Sequence, residues 1–356
     1  MKSFGMWYQG QNGQDSEKEI PEFDLHVNFW SLEDIKTNSD VKEPYLDIGI
    51  KITNYKRLKC LTFFCPFEVD ANGIRDLSEK VSMKDNANII FNDDCEIETK
   101  DNYTIIQLPN EEKLLAFPLF TGIKDVCKVE KSTDCGGTKI VFDFQKFHDY
   151  VKEVEKLKDL QTIYIRFRIE YVELRDHIYF DSEPLNKSFE SAFSGTRIID
   201  FKVNEKRNIP DSIRTEIIVN REEWVVFRNI HFLAMMPSSY NLTSLCEERM
   251  TCRELEPELW DDYLGTEIDF SKGHVLAYHW RKKSKPDKLI EDFSCLMKVD
   301  YSKTKLVTIT AYALSVIALG MIGSLLATAV QDSDLVTKGA VPIVILGVAV
   351  LLGRIK

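Results

Sequence analysis

Ile163-Tyr164-Ile165-Arg166-Phe167-Arg168-Ile169-Glu170-Tyr171 decides the fold class of this 356-residue chain. Alternation puts Ile163, Ile165, Phe167, Ile169 and Tyr171 on one face and Arg166, Arg168 and Glu170 on the other, the period-two signature of a half-buried strand. Tyr45 to Thr53 repeats the pattern, with Leu46, Ile48, Ile50 and Ile52 on one side.

Working outward, strand-like runs recur at 60–69, 103–108, 140–144, 197–203, 223–232, 274–280 and 293–299. Helical spacing is sparse. Ile74, Leu77 and Val81 mark one short helix, Phe147, Val151, Val154 and Leu157 a second, and 255–264 a third. Many short strands with irregular connections predict a mainly β, α+β domain built as a sandwich or barrel-like assembly. The predicted organisation is a polar tail over 1–20, a strand-rich domain over 21–300 with a sub-domain boundary near 145–162, and a C-terminal segment from 303 to 356.

That last segment predicts a transmembrane helical hairpin. Leu306 to Val330 is 25 residues without a charge, roughly 37 Å of helix against a hydrocarbon core of about 30 Å. After a polar loop at 331–334, a shorter apolar run follows at about 339–355 and crosses only if Lys338 and Arg354 snorkel. Lys298, Lys303 and Lys305 before the first span, with Arg354 and Lys356 after the second, place both termini in the cytoplasm. Absence of an apolar leader in 1–20 agrees with that side, and the expected location is a bacterial inner membrane, multi-pass, with the lipid bilayer as partner. Gly320 and Ser324, Gly323 and Ala327, each four apart, and Gly347 in the second run suit close helix packing. They fit either self-association into a homo-oligomer or packing within one hairpin.

The formal charge is −11, and the domain before the hairpin is more acidic still, which disfavours bulk nucleic acid binding. Eight cysteines are too few per residue to act as staples in a chain of this size, and several lie in apolar runs such as Leu61 to Cys65, so free thiols in a reducing compartment are expected. The spacings Cys60-x4-Cys65, Cys127-x7-Cys135 and Cys246-x5-Cys252 lack the tight zinc knuckle, and His274 and His279 fall on opposite faces of a strand, so no metal or cofactor is expected. Gly136-Gly137 reads as a hairpin turn. The chain contains no Gly-x-Ser-x-Gly elbow, phosphate-binding glycine loop, dinucleotide fingerprint or His-Glu-x-x-His helix, and no catalytic residue is assigned; the balance leans away from an enzyme.

Two stretches carry candidate binding chemistry. Arg253-Glu254-Leu255-Glu256-Pro257-Glu258-Leu259-Trp260-Asp261-Asp262-Tyr263 mixes acids, an arginine and aromatics as a polar cleft or a partner surface does, which singles out Arg253, Glu254, Glu256, Trp260, Asp261 and Tyr263. The alternative is a solvated helix packing Leu255, Leu259, Trp260 and Tyr263 onto the sheet. Arg281, Lys282, Lys283, Lys285 and Lys288 form the one basic run in the acidic domain, suited to lipid headgroups, to an anionic small ligand such as a nucleotide, or to plain solvation in a hairpin loop.

Two functions follow as expectations. The first is a cytosolic sensing domain whose ligand or partner clusters the hairpin so that it acts on the membrane. This two-part plan is similar to that of membrane-acting effectors in bacterial anti-phage signalling systems, a resemblance of architecture. The second is a membrane-tethered scaffold whose β domain binds a protein partner while the hairpin anchors it.

Overall fold

A computed structural model of the chain describes residues 2–11, 20–32, 44–100, 102–121, 123, 126–132, 134–170, 174–182, 194–246, 248–264, 274–302 and 306–331. The strands are, in chain order, β1 Gly5–Gly10, β2 Glu22–Trp30, β3 Tyr45–Thr53, β4 Leu58–Cys65, β5 Ile74–Asp76, β6 Glu96–Lys100, β7 Tyr103–Gln107, β8 Lys113–Ala116, β9 Cys127–Ser132 and β10 Gly137–Asp143. They continue as β11 Thr162–Glu170, β12 Tyr179–Ser182, β13 Ser194–Val203, β14 Glu223–Trp224, β15 Phe227–Pro237, β16 Asn241–Ser244, β17 Met250–Glu254, β18 Val275–Lys283 and β19 Phe293–Ser302. The helices are α1 Ser78–Val81, α2 Lys84–Phe91, α3 Phe144–Glu153, α4 Leu174–His177, α5 Asp211–Val219, α6 Pro257–Leu264 and α7 Leu306–Gln331.

Three sheets form. The largest has the order β17-β18-β15-β2-β3-β11-β8-β7-β6, with β5 also on β11; a five-stranded sheet runs β14-β1-β4-β10-β9 and a four-stranded one β12-β13-β19-β16. Strand β3 is sandwiched in register between β2 and β11, pairing Ile48 with Val27 and with Phe167, and Ile50 with Leu25 and with Ile165. These in-register apolar rows make one face of the large sheet continuously hydrophobic, and burial of each such side chain contributes about 1.5–3 kcal/mol. Phe63 and Phe142 of the five-stranded sheet meet Phe167 at ring separations of 5.5 and 6.0 Å, closing a sandwich over that face.

The other face is polar and yet buried, against the half-exposed strand that alternation predicts. Tyr164, Arg166 and Arg168 of β11 are almost fully enclosed. A buried charge is tolerated only when paired and hydrogen-bonded. Asp47, with 0% exposure, supplies the pairing: it accepts from Arg168 Nε at 2.6 Å and Nη2 at 3.1 Å, from Trp30 Nε1 at 2.9 Å and from Tyr263 Oη at 2.7 Å. One carboxylate thereby joins β3, β11, the end of β2 and helix α6. Around it Trp30, Tyr45, Trp260 and Tyr263 form an aromatic cluster with Leu32, Leu255 and Val275.

Several expectations need correction. The two-helix transmembrane hairpin and the multi-pass placement in a bacterial inner membrane are overturned: among the described residues no helix is long and apolar enough to cross a membrane. Helix α7 does occupy the first expected span. The second run, 339–355, lies outside the described residues, and no cytoplasmic assignment of the termini survives without spans to orient.

Gly5–Gly10, inside the stretch expected to be a polar tail, is strand β1 with Met6 and Trp7 buried. The chain divides into two compact units, one of 1–180 with 198–299 and one of 181–197 with 300–356, so α3 lies within a unit and not at a boundary. Cys246 and Cys295 form a disulfide where free thiols are expected. Gly136, at φ +62°, turns the chain from β9 into β10, as its sequence context predicts.

Asp47→Asn leaves the enclosed Arg168 without its countercharge and is expected to lower the unfolding free energy by about 3–5 kcal/mol. Urea denaturation monitored by tryptophan fluorescence measures it; a loss below 1 kcal/mol would show that the network contributes little.

Candidate functional site

Register across the large sheet lines up side chains far apart in sequence. Arg166 of β11 pairs with Gly49 of β3, Gly49 with His26 of β2, His26 with His231 of β15, and His231 with Arg281 of β18. In-register residues share a face, so these five positions form one transverse row on the polar side. The adjacent row on that face reads Arg168, Asp47, Asn28, Leu233, His279 and Thr251. At the centre of the first row a side chain is excluded. A Cβ on Gly49 would lie 2.2 Å from Tyr164 Oη and 2.9 Å from Arg166 Nη1, so glycine leaves the space into which both side chains lean.

A cavity of about 540 Å³ opens on this face. Its floor is His26, Asn28, Arg166, His231, Leu233, Ala277, His279 and Arg281 from four strands; β17 adds Thr251, Cys252 and Arg253, α2 and α6 supply Ile89, Ile90, Phe91 and Trp260, and Asn92 caps the end of α2. The volume falls in the range of small-molecule sites. Three arginines and three histidines line it, and none of its described lining residues is acidic. That composition stands out in a chain of net charge −11.

Arg166 is the deepest cation, at 2% exposure. Its Nε donates to Tyr263 Oη and its Nη1 to Tyr164 Oη, both at 2.8 Å; with the Asn28 amide oxygen turned toward it, Nη2 donates there at 2.8 Å. All three acceptors are neutral, and among the described residues no carboxylate lies within ion-pair distance of Arg166, Arg253 or Arg281. Asp47 is already committed to Arg168. Arg253 donates to Asn92 Oδ1 at 3.0 Å, and Arg281 is exposed at the rim.

The histidines adjoin one another. His231 Nδ1 and His279 Nε2 are 3.1 Å apart with the rings stacked at 5.2 Å, and His26 meets His231 edge-on at 5.2 Å. Tyr164 Oη, which accepts from Arg166, lies 3.2 Å from His26 Nδ1 and can donate its own proton there, leaving the His26 proton on Nε2. Burial pushes all three imidazoles down: His231 to about 4, aided by His279 and Arg281; His26 well below the usual value, aided by His231 and Arg166; and His279 below it, aided by Arg281 and Arg253. At neutral pH the site therefore holds three fixed cations and three uncharged imidazoles that an anion would induce to bind protons.

The two candidate stretches meet here in part. Arg281 from the basic run and Arg253 and Trp260 from the mixed stretch line the same cavity. Lys282 points to the opposite face, reaching Asp292 O at 3.3 Å, while Lys283, Lys285 and Lys288 stand exposed along the β18 hairpin, outside the cavity. Glu254 and Glu256 line a neighbouring cavity of about 530 Å³ that shares Ile89, Asn92, Arg253 and Trp260 with the first, and Glu254 also holds His274 Nδ1. Tyr263 is buried beneath the floor in the Asp47 network, and Asp261 is half-buried away from both cavities. Gly320 and Gly323 have open space around them, with Ser324 exposed nearby; the Ala327 side chain and Gly347 lie outside the described residues.

Five residues of the site, His26, Asn28, Arg166, His231 and His279, escape the sequence motifs. The available signal was polar residues alternating with apolar ones, as in Phe23-Asp24-Leu25-His26-Val27-Asn28-Phe29. Among the described residues no group of three or more potential ligands could hold a metal ion. No protein-family model matches this chain, and no curated protein matches it in sequence.

Gly49→Ala forces Tyr164 and Arg166 aside in an enclosed layer and is expected to cost about 1–3 kcal/mol in urea denaturation; an unchanged midpoint would show that the row has room to spare. The histidines also set a pH dependence. Unfolded imidazoles take up protons below about pH 6.5, whereas the folded ones resist, His231 until about pH 4. The unfolded state therefore binds more protons in that window, and stability falls as pH drops from 6.5 to 5. His231→Asn is expected to flatten that slope, and equal slopes in the two proteins would refute the assignment.

Proposed function

We propose that this protein is a binding module for an anionic small ligand, held in the cavity on the polar face of the ten-stranded sheet. The observation that carries the reading is the lining: three arginines without carboxylate partners among the described residues, three neutral histidines and no acidic group, in a net acidic chain. Elsewhere the fold pairs its enclosed arginine, as Arg168 with Asp47. Leaving Arg166 with only neutral acceptors costs desolvation energy that an incoming anion offsets. The site is built on rigid strands and its guanidinium is held by Tyr263, Tyr164 and Asn28 before any ligand arrives, the preorganisation that favours affinity.

Reciprocity adds a second property. If an anion raises the histidine proton affinity, protons raise the anion affinity by the same factor. Isothermal titration with sulfate, whose charge is constant between pH 8 and 6, tests both at low salt. Binding is expected to strengthen several-fold from pH 8 to pH 6, and Arg281→Ala, at the exposed rim, to weaken it about tenfold or more. Equal sulfate binding by the wild type and by Arg281→Ala and Arg253→Ala variants would refute the cavity as an anion site.

A further inference from the structure

The cavity has two chemically distinct halves. One is the row Arg166, His26, His231 and Arg281 with His279 beside it; the other is Ile89, Ile90 and Phe91 from α2, Trp260 from α6, and Leu233 and Ala277 from the sheet. A simple inorganic anion satisfies the first half and leaves the apolar second half facing water, from which its burial is favourable. A ligand that fills both needs an anionic end and an apolar body.

The polar groups set into the apolar half narrow the body further. Asn92 commits its Oδ1 to Arg253, which leaves its amide N–H groups as donors, and Thr251, whose hydroxyl donates to His279 O, can accept on the neighbouring wall. An alkyl chain offers these groups no hydrogen-bond partner. A flat heteroaromatic ring answers them, because its faces stack on aromatic side chains such as Trp260 and Phe91 while its edge carries acceptors and donors. At the other end, a guanidinium beside imidazoles is the donor set that recognises the tetrahedral oxygens of a phosphate.

We propose that the ligand is a nucleoside phosphate, with its phosphate against Arg166, His26, His231 and Arg281 and its base against the apolar half formed by Ile89, Ile90, Phe91, Leu233 and Trp260. The proposal rests on the anion-binding reading of the same cavity and adds the body of the ligand to it.

Titration calorimetry of the full chain with adenosine, guanosine, cytidine and uridine monophosphates, ribose 5-phosphate and adenosine separates the possibilities. At least one nucleotide is expected to bind tenfold or more tighter than both ribose 5-phosphate and adenosine. Trp260→Leu is expected to remove that advantage, with circular dichroism and the urea midpoint reporting separately that the variant is folded; an unchanged preference for the nucleotide in the folded variant would overturn the placement of the base. If ribose 5-phosphate binds as well as every nucleotide, and Arg281→Ala abolishes both, the anion site stands and the nucleoside phosphate is excluded. If no phosphate compound binds, both readings fall.

Discussion

The carboxylate of Asp47 is the point on which the rest of the structure depends. Moving an ion from water into the interior costs several kcal/mol, and only near-complete hydrogen bonding offsets that cost. Asp47 reaches it through Arg168, Trp30 and Tyr263, which come from three different elements. The same four groups therefore fix how helix α6 lies on the sheet and where the aromatic cluster begins. They also leave a remainder. Arg166 stands two residues from Arg168 on the same face, and the one carboxylate within the network is already engaged.

That remainder gives the cavity its character. Tyr164, Tyr263 and Asn28 hold the Arg166 guanidinium in place without neutralising it. Gly49 keeps the space open, and the next strands carry His26 and His231 into line with it. Burial, with the neighbouring imidazoles and arginines, holds these imidazoles below their usual pKa. The net charge of −11 does not contradict an anion site. Exposed charges are screened beyond about 8 Å at physiological ionic strength, so an approaching anion responds mainly to the arginines and polarised donors lining the opening.

How far the sequence reaches depends on the range of the interaction. Alternation in 163–171 and 45–53 identifies β11 and β3 within a residue or two, because one apolar face is enough to produce the pattern. It assigns Arg166 and Arg168 to the opposite face, correctly, but has no means of showing that α2 and α6 cover that face. Strand β2 is harder to recognise, since Asp24, His26 and Asn28 read as solvent-facing until the sheet is assembled. The C-terminal segment teaches the converse: a long apolar run is a strong local signal, and helix α7 does form on it, yet the inferred crossing fails among the described residues. Cys246 and Cys295, 49 residues apart, gave no local sign that they would meet.

By itself, then, the sequence determined the strand-rich class, the helical stretch at α6 and the turn at Gly136. Each of these is encoded within a few neighbouring residues, by periodicity or by backbone conformational freedom. Tertiary structure alone decided that Arg166, His26, His231 and Arg281 stand in one row, that Asp47 is enclosed, and that the polar face of the largest sheet is an interior surface. Those facts depend on strand order and register, which bring together residues more than a hundred positions apart, and a local pattern carries no information about which distant strand will pair with it.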